Sequence, residues 1–96
     1  MAWVNTKTSQ IITEDAARVY SIILTTDTNG KGITLYDGKD AQSGRKIARF
    51  VSLANNTNTF DIAGTLFASR GLYVELDNEV VDFCIVYRNV WEEEEK

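Results

Sequence analysis

An all-β fold, a single small two-sheet antiparallel β-sandwich with jelly-roll-like connections, follows from three observations. Gly, Asn, Asp and Ser punctuate the chain at the short intervals of a sandwich or barrel. The residues between them show no i, i+3, i+4 stripe of an amphipathic helix. The clearest segment, residues 71–87, sets two runs rich in β-branched and aromatic residues around Asp77-Asn78-Glu79. That is the pattern of an antiparallel hairpin with a three-residue loop.

The elements follow in order. Residues 3–13 are mostly Thr, Val and Ile and read as an extended N-terminal arm or edge strand, so the arm is assigned to 1–13. Residues 14–17 read as a turn or a single helical turn. Residues 18–26 form a strand apolar on both faces, as a central strand is. Asn29-Gly30 closes it with a turn pair suited to positive φ. A short strand at 33–36 ends at Asp37-Gly38, and a loop at 39–44 leads into a strand at 45–53. There Ile47, Val51 and Leu53 share one face and Ala48 and Phe50 the other.

Residues 55–58 read as a polar break, 59–63 as a strand and 64–71 as an irregular connection. In the closing hairpin Leu72, Val74 and Leu76 share a face, as do Val81, Phe83, Ile85 and Tyr87. The total is seven or eight strands, which two packed sheets accommodate because each apolar face needs a cover.

Size and composition narrow the function. The chain has 96 residues and no Pro- or Ser-rich linker, so 1–96 reads as one domain. Its apolar runs are far shorter than the roughly 20 residues of a membrane-spanning helix. Met1-Ala2-Trp3 lacks the pattern of a secretory leader, which leads to the expectation of an intracellular origin. Net charge is −4, with +2 over residues 1–50 and −6 over residues 51–96. Glu92–Glu95 supply much of the second figure, and 92–96 reads as an acidic tail.

Reactive groups are scarce. The chain has one Cys and no His, which excludes an intrachain disulfide and an ordinary zinc site. It also leaves Cys84 without the base a nucleophile needs. Asp37 and Asp40 flank an Asp-Gly turn, where Asp commonly caps its own backbone. Asp27-Thr28-Asn29-Gly30 lacks the later ligands of a calcium loop, and Lys31 stands where another acid would be wanted. No enzyme, cofactor or metal is expected. Lys31, Lys39, Arg45, Lys46 and Arg49 form a basic cluster, but the acidic overall balance favours a protein contact over nucleic acid. Trp3 and Trp91, near the two ends, are candidate partner anchors. The expected interface residues are therefore Trp3, Arg45, Lys46, Arg49 and Trp91.

Three segments, 17–25 (Ala-Arg-Val-Tyr-Ser-Ile-Ile-Leu-Thr), 32–38 (Gly-Ile-Thr-Leu-Tyr-Asp-Gly) and 71–75 (Gly-Leu-Tyr-Val-Glu) with a last strand ending at Tyr87, occur in that order. Together the segments resemble small β-sandwich structural proteins of tailed bacteriophages, including capsid decoration or cement proteins. The resemblance implies a virion protein made in the host cytoplasm and placed on the capsid exterior, where it clamps the major capsid protein. It also implies a homo-oligomer, a trimer being favoured, with no membrane or nucleic-acid partner. The alternative is a receptor- or glycan-binding module of a phage tail or fibre, working through Tyr36, Asp37 and Asp40.

Overall fold

The computed structural model describes residues 2–93, and the part of the expected acidic tail from residue 94 on lies outside them. Among the described residues there are eight strands: β1 (Ala2–Thr6), β2 (Gln10–Thr13), β3 (Ala17–Thr26), β4 (Lys31–Asp37), β5 (Arg45–Ser52), β6 (Asn56–Ala68), β7 (Leu72–Leu76) and β8 (Val80–Asn89). One helical turn, α1 (Val90–Glu93), follows. The strands form two four-stranded sheets, ordered β1-β8-β3-β6 and β2-β7-β4-β5, with every pairing antiparallel. This interleaving is that of an eight-stranded jelly roll.

Burial explains why the sheets face each other. β3 turns Ala17, Val19, Ile22 and Leu24 inward, and β8 turns Phe83 and Ile85 inward. Ile33 and Leu35 of β4 and Leu72 and Val74 of β7 meet them from the other sheet, all fully buried. Each such side chain contributes roughly 1.5–3 kcal/mol relative to exposure, so these central strands dominate stability.

The jelly roll corrects the expected hairpin. β7 and β8 lie in different sheets, so residues 77–79 form an arch from one layer to the other. The arch is tied at both feet. Asp77 donates its amide to the Gly32 carbonyl (2.9 Å), and Asp27 donates its amide to the Glu79 carbonyl (3.0 Å). Two β-rich runs around a polar turn fit a hairpin or an arch equally well. Among the described strands, β4 and β5 are the consecutive pair that are hydrogen-bonded neighbours.

Other boundaries shift for local reasons. The N-terminal arm is two strands, β1 and β2, which enter different sheets. β6 absorbs most of the expected break at 55–58 and connection at 64–71, because β3 offers it a ladder on both sides of a bulge at 62–65. Thr25 and Thr57 hydroxyls meet across that ladder at 2.8 Å. In β5 the pairing slips between Leu35–Ala48 and Tyr36–Lys46, a bulge at Ile47. A bulge changes the phase of facing. Ile47 and Phe50 therefore both pack on the core, while Val51 and Leu53, expected to face with Ile47, point outward. Val81 likewise is exposed and Val80 is buried, because β8 settles into alternation only from Phe83.

Candidate functional site: edges and loop ends of the sandwich

Phe50 and Phe60 rings stand 5.2 Å apart, which places β5 over β6 and leaves β1 on the opposite side of the molecule. The expected interface residues accordingly split into two groups. Trp3, exposed by 68%, lies on the edge strand β1 in register with Val86, and Trp91 follows the end of β8 on α1. Arg45, Lys46 and Arg49 lie on the far edge, in β5. The structure does not bring the two groups together.

Arg49 is engaged within its own chain. Its Nη2 lies 2.7 Å from Asp77 Oδ2, and its Nη1 donates to Thr34 Oγ1 at 3.1 Å. Asp77 Oδ2 also accepts the Gly32 amide at 2.9 Å. Burial pushes the Asp77 carboxyl up, but the Arg49 hydrogen bond, the Gly32 amide and the Arg49 charge hold it below its ordinary value. Arg45 and Lys46 remain exposed at the start of β5.

The loop end carrying Asp37 and Asp40 is internally built. Asp37, nearly fully buried, accepts from Ser69 Oγ at 3.0 Å and from the Arg70 amide at 2.8 Å. Burial raises its carboxyl, yet the Arg70 and Ser69 donors and the Arg70 charge bring the net value below normal. Asp40 accepts the Ser43 amide at 2.7 Å and the Ser43 hydroxyl at 2.8 Å, and these donors lower it. Tyr36 donates its hydroxyl to Glu75 Oε1 at 3.2 Å. Its phenol is raised by burial first, then by that carboxylate. All three residues assigned to sugar binding thus spend their polar groups on this chain.

A shallow depression of about 230 Å³ opens beside this loop, lined by Gly38, Lys39, Ser43 and Arg70. Lys39 stands 3.8 Å from Glu14 across solvent, a pair that contributes little. Among the described residues no three His, Cys, Asp or Glu side chains gather to hold a metal ion. Cys84 is half-buried on the outer face of its sheet, and burial followed by the Asp82 charge pushes its thiol up. No helix of the described residues is long and apolar enough to cross a membrane.

Large apolar side chains instead decorate the outside. Trp3, Leu53, Trp91, Phe67, Val51 and Val81 are each more than two-fifths exposed, four of them on strands, Leu53 just past β5 and Trp91 on α1. Sequence reasoning found the tryptophans but missed Leu53 and Phe67. In the sequence Leu53 keeps step with Ile47, a facing that the bulge at Ile47 undoes, and Phe67 falls in a segment that reads as irregular. The fold and this surface define a small jelly-roll domain with exposed apolar edges. Comparison with family models, curated proteins and solved structures finds no match.

Proposed function

We propose that the domain is a structural protein of a tailed-phage virion, acting as a capsid decoration or cement protein through contacts with the major capsid protein. One observation carries the reading. Large apolar groups are exposed on edge strands, at strand ends and on α1, Trp3 foremost, the placement expected of anchors for a protein surface. The jelly roll is compatible, being used by viral capsid domains and by lectins. That support is fold-level analogy, and the order of segments 17–25, 32–38 and 71–87 is a second, sequence-level one.

The glycan-binding alternative has less to work with. Its residues Tyr36, Asp37 and Asp40 are occupied by Glu75, by Ser69 with Arg70, and by Ser43. On the capsid exterior, many weak contacts repeated over a lattice add to firm attachment.

The test is add-back of purified protein to undecorated capsids encoded by the same genome. Co-sedimentation at saturating stoichiometry, with a raised temperature of capsid disruption, is the expected outcome. Binding to sugar arrays without capsid binding would overturn the reading.

A further inference from the structure

A sandwich has four edge strands, and three of these four are defended against pairing with another chain. β5 carries Arg45, Lys46 and Arg49 and a bulge. β6 breaks register with β3 between Val19–Leu66 and Ser21–Asp61, so residues 62–65 stand opposite Tyr20 alone and the strand is divided into runs of three and six residues, the longer one carrying the charge of Asp61 at the break. Gly64 and Thr65 there both take positive φ, at 79° and 60°. β2 is four residues long and slips register between Ile11 and Thr13. Charge, bulges and shortness are the usual devices that keep an edge from adding strands.

β1 has neither charge nor bulge. Its five residues, Ala-Trp-Val-Asn-Thr, carry no charge and no proline, and they pair with β8 in unbroken register from Ala2–Tyr87 to Thr6–Phe83. In a strand paired on one side, alternate backbone amides and carbonyls point to the open side. Val4, half-buried, packs against the core from the margin, so the apolar layer is incomplete there.

We propose that β1 is a self-association edge, and that two copies of this chain pair antiparallel through β1 across a two-fold axis. The sheets then join into one, ordered β6-β3-β8-β1-β1-β8-β3-β6. Centring the axis on Val4 pairs all five residues: Val4 with Val4 of the second copy, Trp3 with Asn5 and Ala2 with Thr6. The two valines complete the apolar margin, and each Trp3 covers the junction from outside.

The occupant follows from charge as well as from the neutral edge. Arg88, with Arg18 opposite it, marks the Ala2 end of the sheet, while Asp82, hydrogen-bonded to Asn5, marks the Thr6 end. Antiparallel pairing sets the Asp82 end of one copy beside the Arg88 end of the other, so like charges do not share a row. Lys7 falls just outside the paired stretch. A head-to-tail ring would need β1 to join a different edge, and the other three are blunted. Five residues a side bury less than the roughly 1,200 Å² of a stable interface, so the pair is concentration-dependent. The proposal does not depend on the virion reading.

The test is analytical ultracentrifugation across a concentration series, joined to backbone hydrogen exchange. Wild type is expected to move reversibly from 10.8 kDa to twice that mass, with β1 amides becoming slower to exchange in the dimer. Trp3→Lys, at a side chain already exposed, puts charge on the edge and is expected to weaken association at least about tenfold. Leu53→Lys, on the far edge, leaves it unchanged. A monomer throughout, a trimer, or a dimer lost with Leu53→Lys but kept with Trp3→Lys would each overturn the proposal.

Discussion

Arg49 and Asp77, 28 positions apart in sequence, form a 2.7 Å ion pair that locks the arch between the two sheets onto β5. The same carboxylate oxygen holds the Gly32 amide, and the Asp77 amide returns to the Gly32 carbonyl. Asp77→Ala removes an acceptor from both donors at once. It is expected to cost about 1.5–3 kcal/mol, whereas Arg49→Met, which keeps the stem and loses a partly exposed charge, costs about 1 kcal/mol. Urea unfolding of the two variants checks the order, and equal losses would show that the Gly32 bond contributes nothing.

Gly32 is the joint of that lock for a steric reason. A Cβ there would overlap the Phe50 carbonyl oxygen, a backbone atom that cannot swing away. Gly32→Ala must therefore part β4 from β5 locally. A loss above about 3 kcal/mol is expected, at the upper end of overpacking effects. Circular dichroism with a thermal melt reads it directly, and a near-wild-type melt would mean that the strands separate at little cost.

Acid should weaken the fold through Asp37 and Asp77. Both carboxyls are held below their ordinary value, with burial opposed and outweighed by donors: Arg70 and Ser69 for Asp37, Arg49 and Gly32 for Asp77. Below the unfolded value of about 3.9, the unfolded chain binds protons that the native chain does not, so stability rises with pH there. The contribution is fully present above that value and is lost as pH falls through the lower folded values. Melting temperature should thus fall most steeply below about pH 4. Asp37→Asn should be less stable than wild type at neutral pH and converge on it in acid. A constant gap at every pH would locate the effect in packing rather than charge.

How much of this was legible in the sequence depends on what each signal encodes. Alternation and turn residues report strands, and they correctly imply two covered sheets around Ile22, Leu24, Ile33, Leu35 and Phe83. They do not report which sheet a strand joins, and so residues 71–87 look like a hairpin while Asp77 anchors an arch. Facing fails in two places: at the Ile47 bulge, whose extra residue reverses the phase for Val51 and Leu53, and at the start of β8, where Val81 is exposed although Phe83 and Ile85 are buried. The charge asymmetry between chain halves is real but not spatial. β8 inserts between β1 and β3, and β7 between β2 and β4, so the halves are interleaved. The candidate residues Trp3 and Trp91 were visible as large apolar groups near the ends. That Arg49 serves an internal pair was not visible, because its partner lies in a distant segment.

Arg18 and Arg88 are directly opposed on β3 and β8, and among the described residues the buried Arg88 Nε has no hydrogen-bond partner. Like charges facing across strands destabilise, and a buried unsatisfied donor adds to that. Arg88→Met keeps the apolar stem while removing both costs, so a gain of about 1 kcal/mol is expected. If Arg88 serves a partner surface, the same variant will be more stable and will bind less well. Chemical denaturation alongside the capsid assay separates the two readouts, and a loss of stability would show that the guanidinium has a favourable role in the free fold.

Thr65 sits at φ 60° beside Gly64 at φ 79°, within the stretch of β6 that swells away from β3. A β-branched side chain in the left-handed region is strained, where Asn is well tolerated. Its hydroxyl reaches only the neighbouring Gly64 carbonyl, at 2.6 Å, so little tertiary structure depends on it. Thr65→Asn should relieve the strain without removing the bulge, raising stability by roughly 0.5–1 kcal/mol. Thr65→Val keeps the branching and loses the hydroxyl, and should gain nothing. Were the bulge an accident of a weak edge, straightening it by deleting Ala63, Gly64 and Thr65 together, which leaves Ile62 opposite Tyr20, would also be tolerated. If it defends β6 against pairing, the deletion should instead give higher oligomers in sedimentation, because a flat second edge would then be open.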